Sequence, residues 1–166
     1  MPSKRNENKS TFVKVNNGPG AIVDGWWSNN SFFVQLVKDF SQFRFVNGTK
    51  FKFRPPKTIV IGLDEEGAEM MLLHELGHAI LGHRLYMTDL ARLKMEAEAW
   101  EKAKELSARY GVEFQEEIAQ GELDTYREWL HQKSRCPECG LTRFQSSSGV
   151  YHCPRCENFC SLPNPD

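Results

Sequence analysis

No run in this 166-residue chain is apolar for the roughly 20 residues that a helix needs to span a bilayer. The first ten residues are polar and lack the apolar centre of a secretory signal, so a cytoplasmic protein with no membrane partner is the expectation. Repeats and low-complexity tracts are absent, which sets aside solenoids and fibrous chains. Cysteine is missing from the first 135 residues, and all five cysteines fall between positions 136 and 160. In a reducing compartment such a cluster reads as metal ligands rather than disulfides. Excess charge is nearly absent at −1, but the balance is uneven. Residues 1–57 carry ten Lys/Arg against three Asp/Glu, residues 58–130 seven against sixteen, and residues 131–166 four against three. The basic N-terminal segment has two readings: contact with nucleic acid, or packing against the acidic middle of the same chain.

What is present is ordinary globular material, with 40% hydrophobic and 26% charged residues. The length suffices for one domain with a core and a small appendage. The expected division is a polar lead-in over 1–10, a main domain over 11–131 and a cysteine-bearing unit over 132–166. The order of elements predicts an α+β domain. A weak strand over 11–15 ends in the turn 16–20, and Trp26, Trp27, Phe32 and Phe33 supply aromatic core. Ser31 is placed to cap a helix over 32–40. Asn47-Gly48, between alternating residues, predicts a hairpin with Lys50, Lys52 and Arg54 in water and Phe51 and Phe53 inward, closed by Pro55-Pro56. Residues 58–63 read as a strand, with an acidic turn at 64–67 after it. As an edge strand beside the following helix it could take up an extended peptide. A long helix is expected from Thr88 or Asp89 to Tyr110, stopped by Gly111, and a shorter one over 122–131.

The chemistry centres on His74-Glu75-Leu76-Gly77-His78, inside an apolar run from Met70 to Leu81. Residues four apart share a helix face, so both imidazoles can aim at one metal ion, and Glu75 can deprotonate water there. A buried helix with two locally bonded histidines is the plainer reading. A carboxylate inside the run would then be costly without a role.

A catalytic zinc needs a third protein ligand. His83, His131, Glu96, Glu98 and Glu101 are the candidates. His83, nine residues after His74, falls on the far side of a continuous helix and could turn inward only if Gly82 ends it. On the long helix Leu93, Ala97 and Trp100 mark the buried stripe. Glu96 lies within about 60° of Leu93 and shares that stripe, whereas Glu98 lies roughly 140° away. Exposed Glu98 and Glu101 are expected to pair with Lys102 and Lys104. Glu96 is therefore the expected third ligand.

His74-Glu75-Leu76-Gly77-His78 followed by Glu96-Ala97-Glu98-Ala99-Trp100-Glu101-Lys102-Ala103 resembles the compact gluzincin peptidases of the ImmA/IrrE type. Their second motif is E-x-E-A-(D/N)-x-x-A, and its first Glu ligates zinc. The resemblance covers residues 58–110. It implies a small zincin-like fold and a zinc metallopeptidase, of endopeptidase type, with protein or peptide substrates. Trp100 departs from the pattern, standing where relatives carry an Asp or Asn that orients a zinc-bound histidine; the orienting group must then come from elsewhere, such as a backbone carbonyl. The family's helix-turn-helix portion is not apparent.

Cys136-Pro137-Glu138-Cys139 and Cys153-Pro154-Arg155-Cys156 form two C-x-x-C knuckles thirteen residues apart. Four thiolates in this spacing predict a closed, structural zinc in a ribbon, making two Zn²⁺ in all. His152 and Cys160 are left over. Arg143, Phe144 and Arg155 could offer the ribbon a docking face for nucleic acid or protein. SprT-like proteases also join an H-E-x-x-H domain to a C-terminal ribbon, but complete their site with a downstream histidine. A non-catalytic, zinc-stabilised interaction protein is the remaining alternative. Tyr86, Tyr126 and His131 are unranked candidates for steadying an oxyanion.

Overall fold

The apolar run around the two histidines forms the helix on which the main core is built. In the computed structural model, which describes Trp27, residues 30–62 and residues 67–156, this helix is α2 (Ala68–Leu81). It is buried on nearly every side. Met70, Leu72, Leu73 and Leu76 are all 1% exposed or less, each contributing about 1.5–3 kcal/mol of burial free energy. Glycines in the left-handed region, Gly67 (φ 79°) and Gly82 (φ 68°), bound it at either end. The sequence expectations at 11–15, 16–20, Trp26, 64–66 and Cys160 lie outside the described residues.

One side of α2 meets a three-stranded sheet of β1 (Arg44–Asn47), β2 (Lys52–Arg54) and β3 (Thr58–Ile61). The order is β1-β3-β2, with β1 parallel and β2 antiparallel to β3. The Asn47-Gly48 hairpin expected from local signals is therefore absent: residues 48–51 carry the chain past the position that β3 fills. The reversal that does join paired strands is residues 55–57. Burial explains the difference. Ile59, Val60 and Ile61 are the most apolar stretch of the sheet and lie at most 4% exposed, so β3 takes the middle, where both edges are paired. Gly48 fits this crossing because a Cβ there would fall 2.3 Å from Val60 Cγ1. The edge strand beside the cleft is accordingly β2, not the 58–61 segment. Its alternation holds: Lys52 and Arg54 are exposed, and Phe53 turns inward.

Helix α1 (Ser31–Asp39) starts one residue earlier than expected. Asn30 caps it, its Oδ1 accepting from the N–H groups of Phe32 (2.9 Å) and Phe33 (3.3 Å). Trp27 tilts against Phe33, which meets Phe45 edge to face in the core, as the aromatic clustering suggested.

The other side of α2 packs on α3 (Asp89–Tyr110). Both ends of α3 fall where they were expected. The Thr88 side chain accepts from Ala91 N, and Gly111 ends the helix at φ 68°. The two helices approach closely at Gly77, where a Cβ would lie 2.7 Å from the Ala99 carbonyl oxygen. Helix α4 (Glu116–Ser134) is longer than the predicted 122–131. Gly121 sits within this helix with open space beside it. The first turn gains from Glu116 and Glu117 at the positive helix end, and Lys104 Nζ holds Glu116 at 2.8 Å.

The ribbon follows directly, with β4 (Phe144–Gln145) antiparallel to β5 (Tyr151–His152). Its contact with the helices is a buried polar junction. Asp89, 3% exposed at the start of α3, meets Lys133 Nζ, Tyr151 Oη and Gln145 Nε2, each at 3.0 Å. Arg143, predicted to face a partner, is instead 3% exposed; its guanidinium donates to the Lys133 carbonyl (2.6 Å) and lies over Tyr151. Phe144 does stay exposed, stacked on His152.

Candidate metal centres

Three side chains from two helices converge beneath the sheet edge. His74 and His78 lie one turn apart on α2, and Glu96 reaches them from α3. His74 Nε2 and His78 Nε2 are 3.1 Å apart, and Glu96 Oε2 lies 3.3 Å from the first and 3.2 Å from the second. The three atoms thus form a nearly equilateral triangle. A tetrahedral zinc with bonds of about 2.0–2.1 Å requires its donors to stand about 3.3 Å apart. Two imidazole nitrogens and one carboxylate oxygen held this close are well suited to sharing a cation. The donor set therefore fits zinc. Burial pushes the Glu96 carboxyl up, but hydrogen bonds from His74 and His78, with their charges, overcome it and hold it well below the usual range. Glu98 and Glu101, the other acidic candidates on α3, are not part of this group, nor is His131, which is exposed.

One face of the triangle opens to a cleft of about 650 Å³. Its lining includes β2, Tyr86, Arg92 and Tyr126. Glu75 points into this cleft beside the histidines, and its Oε2 accepts the Phe53 backbone N–H at 2.5 Å. In an antiparallel ladder alternate residues turn their N–H and C=O away from the partner strand. Phe53 is such a residue on the outer edge of β2. Of the three oxyanion candidates, Tyr126 lines the cleft beside Glu96 and Arg92, and burial, then the Glu96 charge, pushes its hydroxyl up to about 12. It remains an O–H donor across ordinary pH. Arg92 is held between the rings of Tyr86, Tyr126 and Trp129 at 5.1–5.4 Å.

The surroundings of the two imidazoles differ. Trp100, at the position where the resembled motif carries Asp or Asn, stacks on the His74 ring with centroids 4.1 Å apart. His74 Nδ1 is buried without a hydrogen-bond partner among the described residues. His78 Nδ1 faces His83 Nδ1 at 2.8 Å, and His83 Nε2 faces Glu98 Oε2 at 3.4 Å. His83 does turn inward once Gly82 ends α2, yet it arrives behind a ligand rather than at the metal position. Burial, then the charge on His78, holds its pKa below the ordinary imidazole range. Glu98 pairs with Lys94 (3.6 Å) and His83 rather than with the expected Lys102, which bonds Glu105. Sequence reasoning missed this connection; Gly82, a C-cap residue two positions short of Arg84, was its only signal.

In the ribbon, Cys136, Cys139, Cys153 and Cys156 bring four sulfurs within 4.8 Å of one another. Cys139 Sγ and Cys153 Sγ are 3.6 Å apart, too far for a disulfide and close to the roughly 3.8 Å edge that a tetrahedron with 2.3 Å Zn–S bonds requires. The first knuckle is tied by Gly140 N to the Cys136 carbonyl (2.9 Å), with Gly140 at φ 71°. Burial opposes ionisation of Cys153, but backbone N–H groups of Arg155 and Cys156 and the neighbouring thiols bring it down to about 6. Four thiolates would fill a tetrahedral shell and leave no position for a substrate water. Comparisons with protein families, with characterised proteins and with solved structures find no match to the chain.

Proposed function

We propose that this chain is a zinc-dependent metallopeptidase in which His74, His78 and Glu96 hold the catalytic ion and the four cysteines hold a structural one. The observation that carries the reading is the donor triangle with 3.1–3.3 Å sides, open on one side to a cleft that also holds Glu75. A bound zinc supplies Lewis acidity there, lowering the pKa of water toward about 7. Glu75 takes the proton from water as it attacks a peptide carbonyl, then returns that proton to the departing nitrogen. Tyr126 contributes an O–H donor at the cleft wall, suited to the oxygen on which negative charge develops. The outward C=O of Phe53 on β2, whose N–H is already taken by Glu75, leaves an acceptor for an extended chain laid along the sheet edge, which favours peptides as substrates. A carboxylate as third donor supports the gluzincin version over a SprT-like site, which needs a third histidine.

Zinc analysis and casein cleavage, comparing wild type with Glu75→Gln, test the proposal. Two ions per chain are expected in both proteins. Activity should fall about 10²–10⁴-fold in the variant. Equal activity in both would remove the mechanism, and metal-loaded but inactive wild type would leave the scaffold alternative.

A further inference from the structure

A metal held by His74, His78 and Glu96 requires a defined proton on His78, and the role assigned to its neighbours rests on that metallopeptidase reading. An imidazole that gives its Nε2 lone pair to a metal must carry its proton on Nδ1, and that N–H is normally directed by an acceptor behind it. In the ImmA/IrrE-type pattern an Asp or Asn orients a ligand histidine, and here that position is Trp100, whose ring stacks on His74. The group that faces His78 Nδ1 is the His83 ring, at 2.8 Å.

We infer that His83 and Glu98 form a positioning relay that fixes the tautomer and orientation of His78. The direction of each hydrogen bond follows from the first. His78 Nδ1–H donates, so His83 Nδ1 must offer a lone pair. The single proton of neutral His83 then sits on Nε2, where it donates to Glu98 Oε2 at 3.4 Å. Every ring nitrogen in the chain Glu98–His83–His78 thereby has one defined role, and none is left to choose between tautomers.

The backbone makes this possible at a point where a continuous helix would forbid it. Gly82, at φ 68°, ends α2 with its N–H turned back to the Ala79 carbonyl (3.3 Å). The next N–H, of His83, bonds the His78 carbonyl at 3.0 Å. This return brings the side chain of residue 83 over the ring five positions earlier. The His83 side chain is 10% exposed, so the contact is shielded, while Glu98 lies at the rim, 46% exposed, and is also approached by Lys94. The two ligand histidines are thus held by different means: an aromatic face for His74, a hydrogen-bonded chain for His78.

Cobalt(II) titration of the full chain separates the two centres, because thiolate ligation gives intense charge-transfer absorption and nitrogen–oxygen ligation does not. His83→Ala should weaken metal binding at the His74/His78/Glu96 centre about 10–100-fold, with the thiolate centre unchanged. Glu98→Ala should weaken it less. Glu98→Gln, whose amide oxygen still accepts from His83, should return close to wild type. In the zinc-loaded wild type, imidazole ¹⁵N shifts should show His78 protonated on Nδ1 and His83 on Nε2. Unchanged affinity in His83→Ala, or a His83 proton found on Nδ1, overturns the relay while leaving the metallopeptidase reading standing. A wild type that fills only the thiolate centre overturns both. Should His83→Ala fail to fold, the surface variants at Glu98 and the tautomer measurement on wild type still decide.

Discussion

The two candidate metal centres are built from opposite kinds of information. The four cysteines come from two knuckles within 21 positions, the first tied by Gly140 N–H to the Cys136 carbonyl and the second by Cys156 N–H to Cys153 Sγ, and they gather around one point. The His74/His78/Glu96 centre draws on two helices, needs those helices to pack at one particular depth, and leaves a side facing a cleft. The contrast teaches that a sealed centre can be specified by short-range spacing, while an open one depends on the tertiary structure around it. The junction at Asp89 links them, since the residue that grips the ribbon opens the helix that carries Glu96.

The largest effect should come from breaking the sealed centre. Cys136→Ser is expected to remove about 10 kcal/mol or more of metal-linked folding free energy from the ribbon. Metal analysis should then find one ion per chain, and amide exchange should lose protection across residues 136–156. Retention of metal at the histidines would confirm that the open centre needs only its helices. A smaller effect is expected at the junction. Asp89→Ala removes the buried carboxylate shared by Lys133, Tyr151 and Gln145, at a cost of about 3–5 kcal/mol, measurable by urea unfolding. It should loosen the ribbon, which amide exchange in β4 and β5 would register. Least costly is Thr88→Ala, which removes the cap of α3 for about 1 kcal/mol and leaves the junction side chains in place. If it lowered stability as much as Asp89→Ala, the junction would have no energetic role beyond starting the helix.

The legible parts of the molecule were those governed by near neighbours in sequence. Both ends of α3 follow from Thr88 and Gly111, and the phase of that helix was enough to select Glu96 over Glu98. The cysteine knuckles follow from spacing. The Asn47-Gly48 turn misled because a strand formed later in the chain competes for the same edge, and its burial outweighs a local preference. Arg143 looked like surface because nothing in its neighbours reveals that the Lys133 carbonyl and the Tyr151 ring come to meet it. The His83–Glu98 link was hidden for a similar reason. It depends on a glycine reversing the chain and on a second helix passing at the right height.

Gly77 sits between the two histidines with no side chain, against the Ala99 carbonyl. Its consequence is one of calibration. The gap between α2 and α3 at that level works as a caliper whose jaws carry nitrogen on one side and oxygen on the other. A single methyl added at residue 77 would press on the Ala99 carbonyl and widen the jaws, moving Glu96 away from both imidazoles. The smallest residue in the motif thus sets how closely the two donor-bearing helices can approach.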